Sequence, residues 1–361
     1  MPSCRRSTVA RYRNPAVKIV ITDCDHGFFT PEKSVIEGAG HSLKIYECRH
    51  PEEVLEVAQD AEALICQFLP VTRSLLGSLP RCQVVGRYGV GVDNVDLEAA
   101  TALGIKVVHV PDFCSEEVAD HTMGLILALT RRITVTDSLW KRDPVAFKER
   151  WGQRLELLQG VHCLSDLTLG IIGLGRIGHG VVRRAQGFGF RVVAHDPFVS
   201  QQQMEEWGVE ECSQEQLLKT ADVVTLHIPL TKETDHLIGE RQLRLMKRTA
   251  YLVNTSRGAL IDEAALVRAL REGWIAGAAL DVTATEPLPP SHPLLSMDNV
   301  ILSPHVAFFS ETAILQVKER VAQYVVNALS GYGNYALANP AVLQADATRG
   351  GRLAGGLVDH D

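Results

Sequence analysis

Three polar residues stand just past short apolar runs in the second half of the chain. Arg257 follows Tyr251 to Asn254, Glu286 follows Gly277 to Asp281, and His305 follows Asn299 to Leu302. In an open parallel sheet, ligands bind outside the carboxyl ends of the strands, so these places are where chemistry is to be sought. An arginine presents a planar fork of donors that suits a carboxylate and a neighbouring carbonyl oxygen. A histidine titrates near neutrality and can give or take a proton. A glutamate bonded to that histidine would favour the imidazolium and fix its tautomer. The set implies interconversion of a small 2-keto acid and a 2-hydroxy acid, with Arg257 as substrate anchor, His305 as acid/base and Glu286 as its partner. Taken singly, each residue also reads as a loop ion pair, a turn acid or a strand cap. Recurrence on three consecutive strand ends is what favours one site.

Such chemistry needs a hydride carrier, and the sequence offers a place for one. Gly173-Leu-Gly175-Arg-Ile-Gly178 follows the apolar run Leu169 to Ile172 and opens a segment of helical period, Ile177 to Gln186. In that context the first glycine permits a tight turn, the second admits a pyrophosphate to the backbone, and the third lets helix and strand pack closely. The phosphates would rest on free N–H groups at the helix start. The next strand ends at Asp196, 18 residues after Gly178, where an acid can accept from the adenosine ribose hydroxyls. A 2′-phosphate would face a carboxylate there, so NAD is expected over NADP. Asp281 is placed for the nicotinamide carboxamide.

These residues need a frame, and the apolar pattern supplies one. From Val17 onward, short β-branched runs alternate with segments of helical period, which predicts parallel sheets covered by helices. Strands are expected at Lys18 to Thr22, Ala63 to Cys66, Val84 to Gly86 and Lys106 to His109. The helix Val118 to Thr130 follows, apolar almost all round, as when one face meets the core and another a partner. It predicts a homodimer through residues 118–130. Six further strands are expected at Thr168 to Ile172, Arg191 to Ala194, Val223 to His227, Tyr251 to Asn254, Gly277 to Asp281 and Asn299 to Leu302. The last helix, Glu311 to Leu329, has no strand after it and is expected to return to the N-terminal domain. The chain would then cross between domains twice, near Pro111 and near Ala307, and so form a hinge.

With 361 residues, 46% hydrophobic and 22% charged, the chain can bury the cores of two ordinary domains. A net charge of −7 without a long basic run argues against a nucleic-acid partner. No apolar run is long enough to span a bilayer, and the first 16 residues lack the apolar centre of a secretory signal, so no membrane and a cytoplasmic setting are expected. The eight cysteines include no Cys-x-x-Cys pair, which argues for reduced structural thiols and no metal site. Met1 to Asn14 holds four arginines and no acid, a composition shared by disordered basic arms and organelle transit peptides.

Several segments together resemble the D-isomer-specific 2-hydroxyacid dehydrogenases: Val85-Gly-Arg-Tyr-Gly-Val-Gly-Val-Asp-Asn-Val-Asp-Leu97, Gly170 to Gly178, Leu226-His-Ile-Pro-Leu-Thr231, Asn254-Thr-Ser-Arg-Gly-Ala-Leu-Ile-Asp262, Ala278 to Val282 with Glu286-Pro-Leu288, and Ser303-Pro-His-Val-Ala307. The likeness covers about residues 17–340. It implies an α/β chain of two doubly wound parallel-sheet domains, a Rossmann NAD-binding domain (113–308) inserted into a discontinuous flavodoxin-like substrate domain (17–112 and 309–340). A disordered basic arm (1–16) and a flexible tail (341–361) would flank them. The family's catalytic trio falls on Arg257, Glu286 and His305. Its cofactor contacts fall on Arg176, Ile177, Asp196, Ile228, Pro229, Thr255, Ser256 and Asp281, beside Gly173, Gly175 and Gly178. Its substrate loop falls on Arg87 to Asn94, where Arg87 and the backbone N–H groups of Val90 and Gly91 would hold the substrate carboxylate.

Within the family, Arg87-Tyr-Gly-Val-Gly and Val110 to Asp120 look most like the C-terminal-binding-protein branch, which includes NAD-sensing corepressors beside enzymes. Phe308 stands where some corepressors carry Trp. Resemblance to phosphoglycerate dehydrogenase is weakened by the shortage of cations near the substrate loop, where Arg73 is the obvious one. A reading from a different class starts at Asp23-Cys-Asp25, which resembles the aspartate pair of phosphatases with an Asp nucleophile. No lysine or acid cluster at neighbouring strand ends completes that site.

Overall fold

The computed structural model describes residues 16–143, 145 and 158–344. The N-terminal arm expected at 1–16 falls almost wholly outside them, as does the tail from residue 345. Close packing divides the chain into two units, 1–113 with 311–361, and 114–310.

The first unit is built on a six-stranded sheet. Its strands are β1 (Lys18–Ile21), β2 (Ser42–Ile45), β3 (Ala63–Cys66), β4 (Val84–Arg87), β5 (Lys106–His109) and, near the chain's end, β13 (Ala336–Leu337). The order β13-β5-β4-β3-β1-β2 contains the 2-1-3-4-5 sequence of flavodoxin-like sheets, whose direction reverses between β1 and β3. The last helix, Glu311–Ser330, packs on β3, β4 and β5 and on the Thr30–Gly38 helix. It lies so close to β4 that a Cβ at Gly86 would come within 2.6 Å of Val325 Cγ2.

Three expectations are corrected in this unit. A strand does follow the last helix: β13 pairs antiparallel with β5, and two residues are too short to show a period. The edge strand β2 was not expected, because Ser42-Leu-Lys-Ile carries too few apolar residues to separate it from a loop. Within residues 341–344, placed in the tail, Val342 is fully buried while Ala341, Leu343 and Gln344 are exposed.

The helix that closes this unit carries a buried ion pair. Lys318 and Glu32 are both 0% exposed, with Nζ 3.0 Å from Oε1. Tyr88 Oη donates to the same oxygen at 2.7 Å, and Lys318 Nζ also reaches Cys24 Sγ at 3.5 Å and the faces of Phe28, Phe29 and Tyr88. Burial, and then the Glu32 charge, push the Tyr88 phenol well above its ordinary range.

The second unit carries β6 (Thr168–Ile172), β7 (Arg191–His195), β8 (Glu210–Glu211), β9 (Val223–Leu226), β10 (Tyr251–Asn254), β11 (Gly277–Leu280) and β12 (Val300–Leu302), all parallel. Their order, β12-β11-β10-β9-β6-β7-β8, reverses between β6 and β9, as in the Rossmann sheet. The two faces are covered by separate apolar clusters, one around Leu217, Leu252 and Leu266 and the other around Ile126, Val181 and Met204.

The Ser115–Thr130 helix belongs to this unit and packs on the Arg176–Gly187 and Ile133–Arg142 helices and on β10 and β11. Its several apolar faces are thus met within one chain, so their breadth does not by itself require a partner. Among the described residues no helix is long and apolar enough to cross a membrane, and no group of His, Cys, Asp and Glu could hold a metal ion.

Candidate active site

The turn after β6 shows why three glycines stand there. Gly173 has φ +96°, and a Cβ on it would lie 2.4 Å from the His227 carbonyl oxygen. A Cβ on Gly178 would lie 2.1 Å from the Gly173 oxygen. A Cβ on Gly175 would meet nothing within 4 Å, although this residue starts the Arg176–Gly187 helix and no side chain caps it. Uncapped N–H groups beside open space suit a phosphate. Asp196 stands next to this turn: Oδ2 accepts from Leu174 N at 2.7 Å and Oδ1 from Phe198 N at 2.8 Å. A carboxylate has room for further donors, so it can take ribose hydroxyls as well.

Ends of the adjacent strands β10, β11 and β12 carry the three polar residues. His305 Nδ1 lies 2.8 Å from Glu286 Oε2, and the two side chains are 36% and 38% exposed. Burial tends to raise the Glu286 carboxyl, but the hydrogen bond and charge of His305, the Thr283 amide and the Arg257 charge together hold it below the ordinary carboxylate range. Glu286 is therefore an acceptor at neutral pH, the His305 proton sits on Nδ1, and Nε2 is left for other work.

Each member of the pair rides on a braced loop. His305 has φ +53°, unusual for a side chain with a Cβ, and its amide donates to the Asp281 and Ser303 carbonyls. Asp281, 2% exposed, accepts from Ser303 Oγ (2.6 Å) and from the amides of Val306 (3.0 Å) and Ala307 (2.9 Å). On the other loop, Glu286 Oε1 accepts from Thr283 N at 3.0 Å. Gly258 presses so closely on this segment that a Cβ would lie 2.0 Å from the Thr283 carbonyl carbon, which locks the Arg257 turn to the Glu286 loop. Asn254 shapes that turn by donating to the Arg257 carbonyl and accepting from Ser256 N.

The sequence profile described as "D-isomer specific 2-hydroxyacid dehydrogenase, NAD binding domain" matches residues 123–307. A glyoxylate reductase from Korarchaeum cryptofilum is 42% identical over 274 residues, 76% of this chain and 81% of that protein. The chain belongs to the D-isomer specific 2-hydroxyacid dehydrogenase family. It is an NAD-dependent oxidoreductase acting on CH–OH groups, and NAD is its cofactor. A D-3-phosphoglycerate dehydrogenase from Methanocaldococcus jannaschii is also 42% identical, over 87% of this chain and 58% of that longer protein. Among solved structures, the D-lactate dehydrogenase of Aquifex aeolicus complexed with NAD and lactic acid superposes with TM-score 0.75 at 30% identity, covering 88% of this chain and 98% of that one.

In this member of the family the expected cofactor residues do not all present free groups. Arg176 and Ile177 open the helix after the glycine turn, and Ile228 lies against Gly173. The Pro229 carbonyl accepts from Thr234 Oγ1, Thr255 Oγ1 pairs with Thr122 Oγ1 at 2.9 Å, and Ser256 Oγ donates to the Leu226 carbonyl. Asp281 is drawn mainly into bracing the His305 loop. Two residues escaped sequence reasoning: His121, whose Nε2 lies 3.0 Å from Ser303 Oγ in that bracing, and Thr122, which holds Thr255. Both stand in the Ser115–Thr130 helix directly after Asp120, where the apolar run begins.

The expected substrate loop lies in the first unit. The Val90 carbonyl accepts from His109 Nδ1 at 2.7 Å, and Val110 N donates to the Gly89 carbonyl. The amides of Val90 and Gly91 donate to no group among the described residues, and consecutive free amides are the makings of an anion cradle. Arg87 folds back over Gly89, whose φ is +139°. The Asp23-Cys-Asp25 motif has a structural explanation. Asp23 accepts from the amides of Gln67, Phe68 and Leu69, closing the loop after β3, and so is occupied as a loop cap.

Proposed function

We propose that the protein reduces a small 2-keto acid of the glyoxylate class with NADH, and runs the reverse reaction on the 2-hydroxy acid. The observation that carries this reading is the 2.8 Å His305–Glu286 contact at the ends of neighbouring strands, with the Arg257 charge close enough to act on Glu286. Relatives named glyoxylate reductase support the substrate class.

Bound NAD would rest on the Gly173–Gly178 turn and Asp196, and supplies or takes the hydride. Arg257 anchors the carboxylate and polarises the carbonyl, since a fork of donors matches two oxygens at once. His305 gives its Nε2 proton to the oxygen that becomes the hydroxyl, and Glu286 stabilises the imidazolium beforehand. Within the first unit, the amides of Val90 and Gly91, with Arg87, are by themselves suited to a carboxylate. Asp196 sets NAD over NADP by repelling a 2′-phosphate. Asp196→Ser should narrow that preference by about tenfold in kcat/KM, read with the two cofactors side by side.

The deciding experiment is a panel of glyoxylate, hydroxypyruvate, pyruvate and phosphohydroxypyruvate with NADH. Turnover of glyoxylate or hydroxypyruvate well above phosphohydroxypyruvate is expected. Tight NADH binding with no turnover on any of them would favour an NAD(H)-sensing corepressor instead. A homodimer through residues 118–130 is part of the same proposal, supported by exposed Ile133 and Trp140 just beyond that helix. Sedimentation at micromolar concentration tests it, and a monomer would refute it.

A further inference from the structure

Glu286 reaches His305 from a loop, and a loop fixes a side chain only as well as its own backbone is held. One carboxylate outside the loop holds both of its ends. Glu263, the first residue of the Glu263–Glu272 helix, accepts from Ala284 N at Oε2 (3.1 Å), and its Oε1 lies 3.1 Å from His292 Nε2. Residues 284 and 292 bracket Glu286, and the Glu263 and His292 side chains are each only 18% exposed.

The histidine is oriented from its far side. His292 Nδ1 accepts from Leu294 N at 3.4 Å and caps the Pro293–Ser296 turn, so the ring proton belongs to Nε2 and points at Glu263. Glu263 itself stands on a fixed base, because Asp262 caps the helix through Ala265 N at 3.0 Å. This second Glu–His pair is more buried than the first and spends its polar atoms on backbone and on each other.

We infer that Glu263 and His292 are positioning residues that clamp the two ends of the loop carrying Glu286 and so set the geometry of the His305–Glu286 pair. The inference rests on the acid/base reading of that pair. It also assigns the clamp a consequence that a merely structural contact lacks. The charged groups that act on Glu286 are His305 and Arg257, beside the Thr283 amide, and each depends on where the loop puts the carboxylate.

Full-length Glu263→Ala and His292→Ala, assayed with NADH and glyoxylate, test the clamp. Glu263→Ala should lower kcat by about tenfold, the scale of a partly misplaced acid/base group. KM for glyoxylate and the Kd for NADH should stay within about twofold, because neither residue is assigned to substrate or cofactor. The acid limb of the pH profile should move upward as Glu286 loses its hold on His305. Glu263→Gln, which keeps an oxygen for Ala284 N, and His292→Gln, which returns a donor near the place of Nε2, should each regain most of the loss. NMR titration of the Glu286 carboxyl in the cofactor-free protein gives a readout without turnover and should move upward in the same variants. If Glu263→Ala does not fold, His292→Ala carries the same test with the same signs at smaller size.

Alanine variants with lowered Tm but wild-type kcat, pH profile and Glu286 titration would overturn the inference. Glu286→Gln, run beside them, separates the two ideas. If it too changes nothing, the acid/base reading has failed; if it lowers kcat while Glu263→Ala does not, only the clamp has failed.

Discussion

Two carboxylates meet two bases in this protein, and their surroundings differ completely. Glu32 and Lys318 are 3.0 Å apart with both side chains sealed from solvent, whereas Glu286 and His305 are 2.8 Å apart and more than a third exposed. The sealed pair is ringed by Tyr88, Phe28 and Phe29, and neither charged side chain reaches solvent. The open pair sits on two braced loops, with one imidazole nitrogen unspent. Burial makes an ion pair a structural commitment, because losing one partner strands a charge. Partial exposure makes it a reagent that adds little to stability.

That contrast can be broken most forcefully at Lys318. Lys318→Ala should cost about 3–5 kcal/mol of stability, the usual result of removing one partner of a buried pair. Urea denaturation measures it, and a loss near zero would mean that Glu32 is readily solvated or neutralised. His305→Ala should do the opposite. Turnover should fall by about 100-fold or more, the contribution of a positioned acid, while the urea midpoint and NADH affinity stay near wild type. Near-normal turnover would place the proton donor elsewhere.

The smallest effect sharpens the comparison through pH. Since the folded protein holds the Glu286 carboxyl below its ordinary range, the contact with His305 contributes above that ordinary range and is lost as pH falls through the lowered value. The acid limb of activity should therefore lie below the range of a free carboxylate. In His305→Gln, carboxyl titration followed by NMR should move back upward. No movement would mean that the Thr283 amide and Arg257 alone hold the proton off.

Much of the second unit was legible because its demands are local. Gly173 and Gly178 answer to backbone clearance within one turn, and Arg257, Glu286 and His305 were exposed to view by standing after apolar runs. What stayed hidden depends on contacts distant in sequence. Asp281 looked like a cofactor residue, yet its grip on Val306 and Ala307 could be seen only once β11 and β12 lay side by side. Nothing beside Lys318 in the sequence marks its role, since its partner lies 286 positions away at Glu32. The strands β2 and β13 are edge elements too short or too polar to announce themselves.

Gly175 differs from the glycines on either side of it. Gly173 and Gly178 are required by the protein's own atoms, whereas a methyl group at Gly175 would touch none of them, and its backbone (φ −63°, ψ −166°) is open to any residue. Packing leaves room for a side chain at this position, where a helix start still favours glycine over alanine. An alanine there should melt slightly earlier than the native chain, by the poorer helix start, and its larger effect would register when a dinucleotide tried to settle on the turn. The steric need for glycine there would come from the guest and not from the host's own packing.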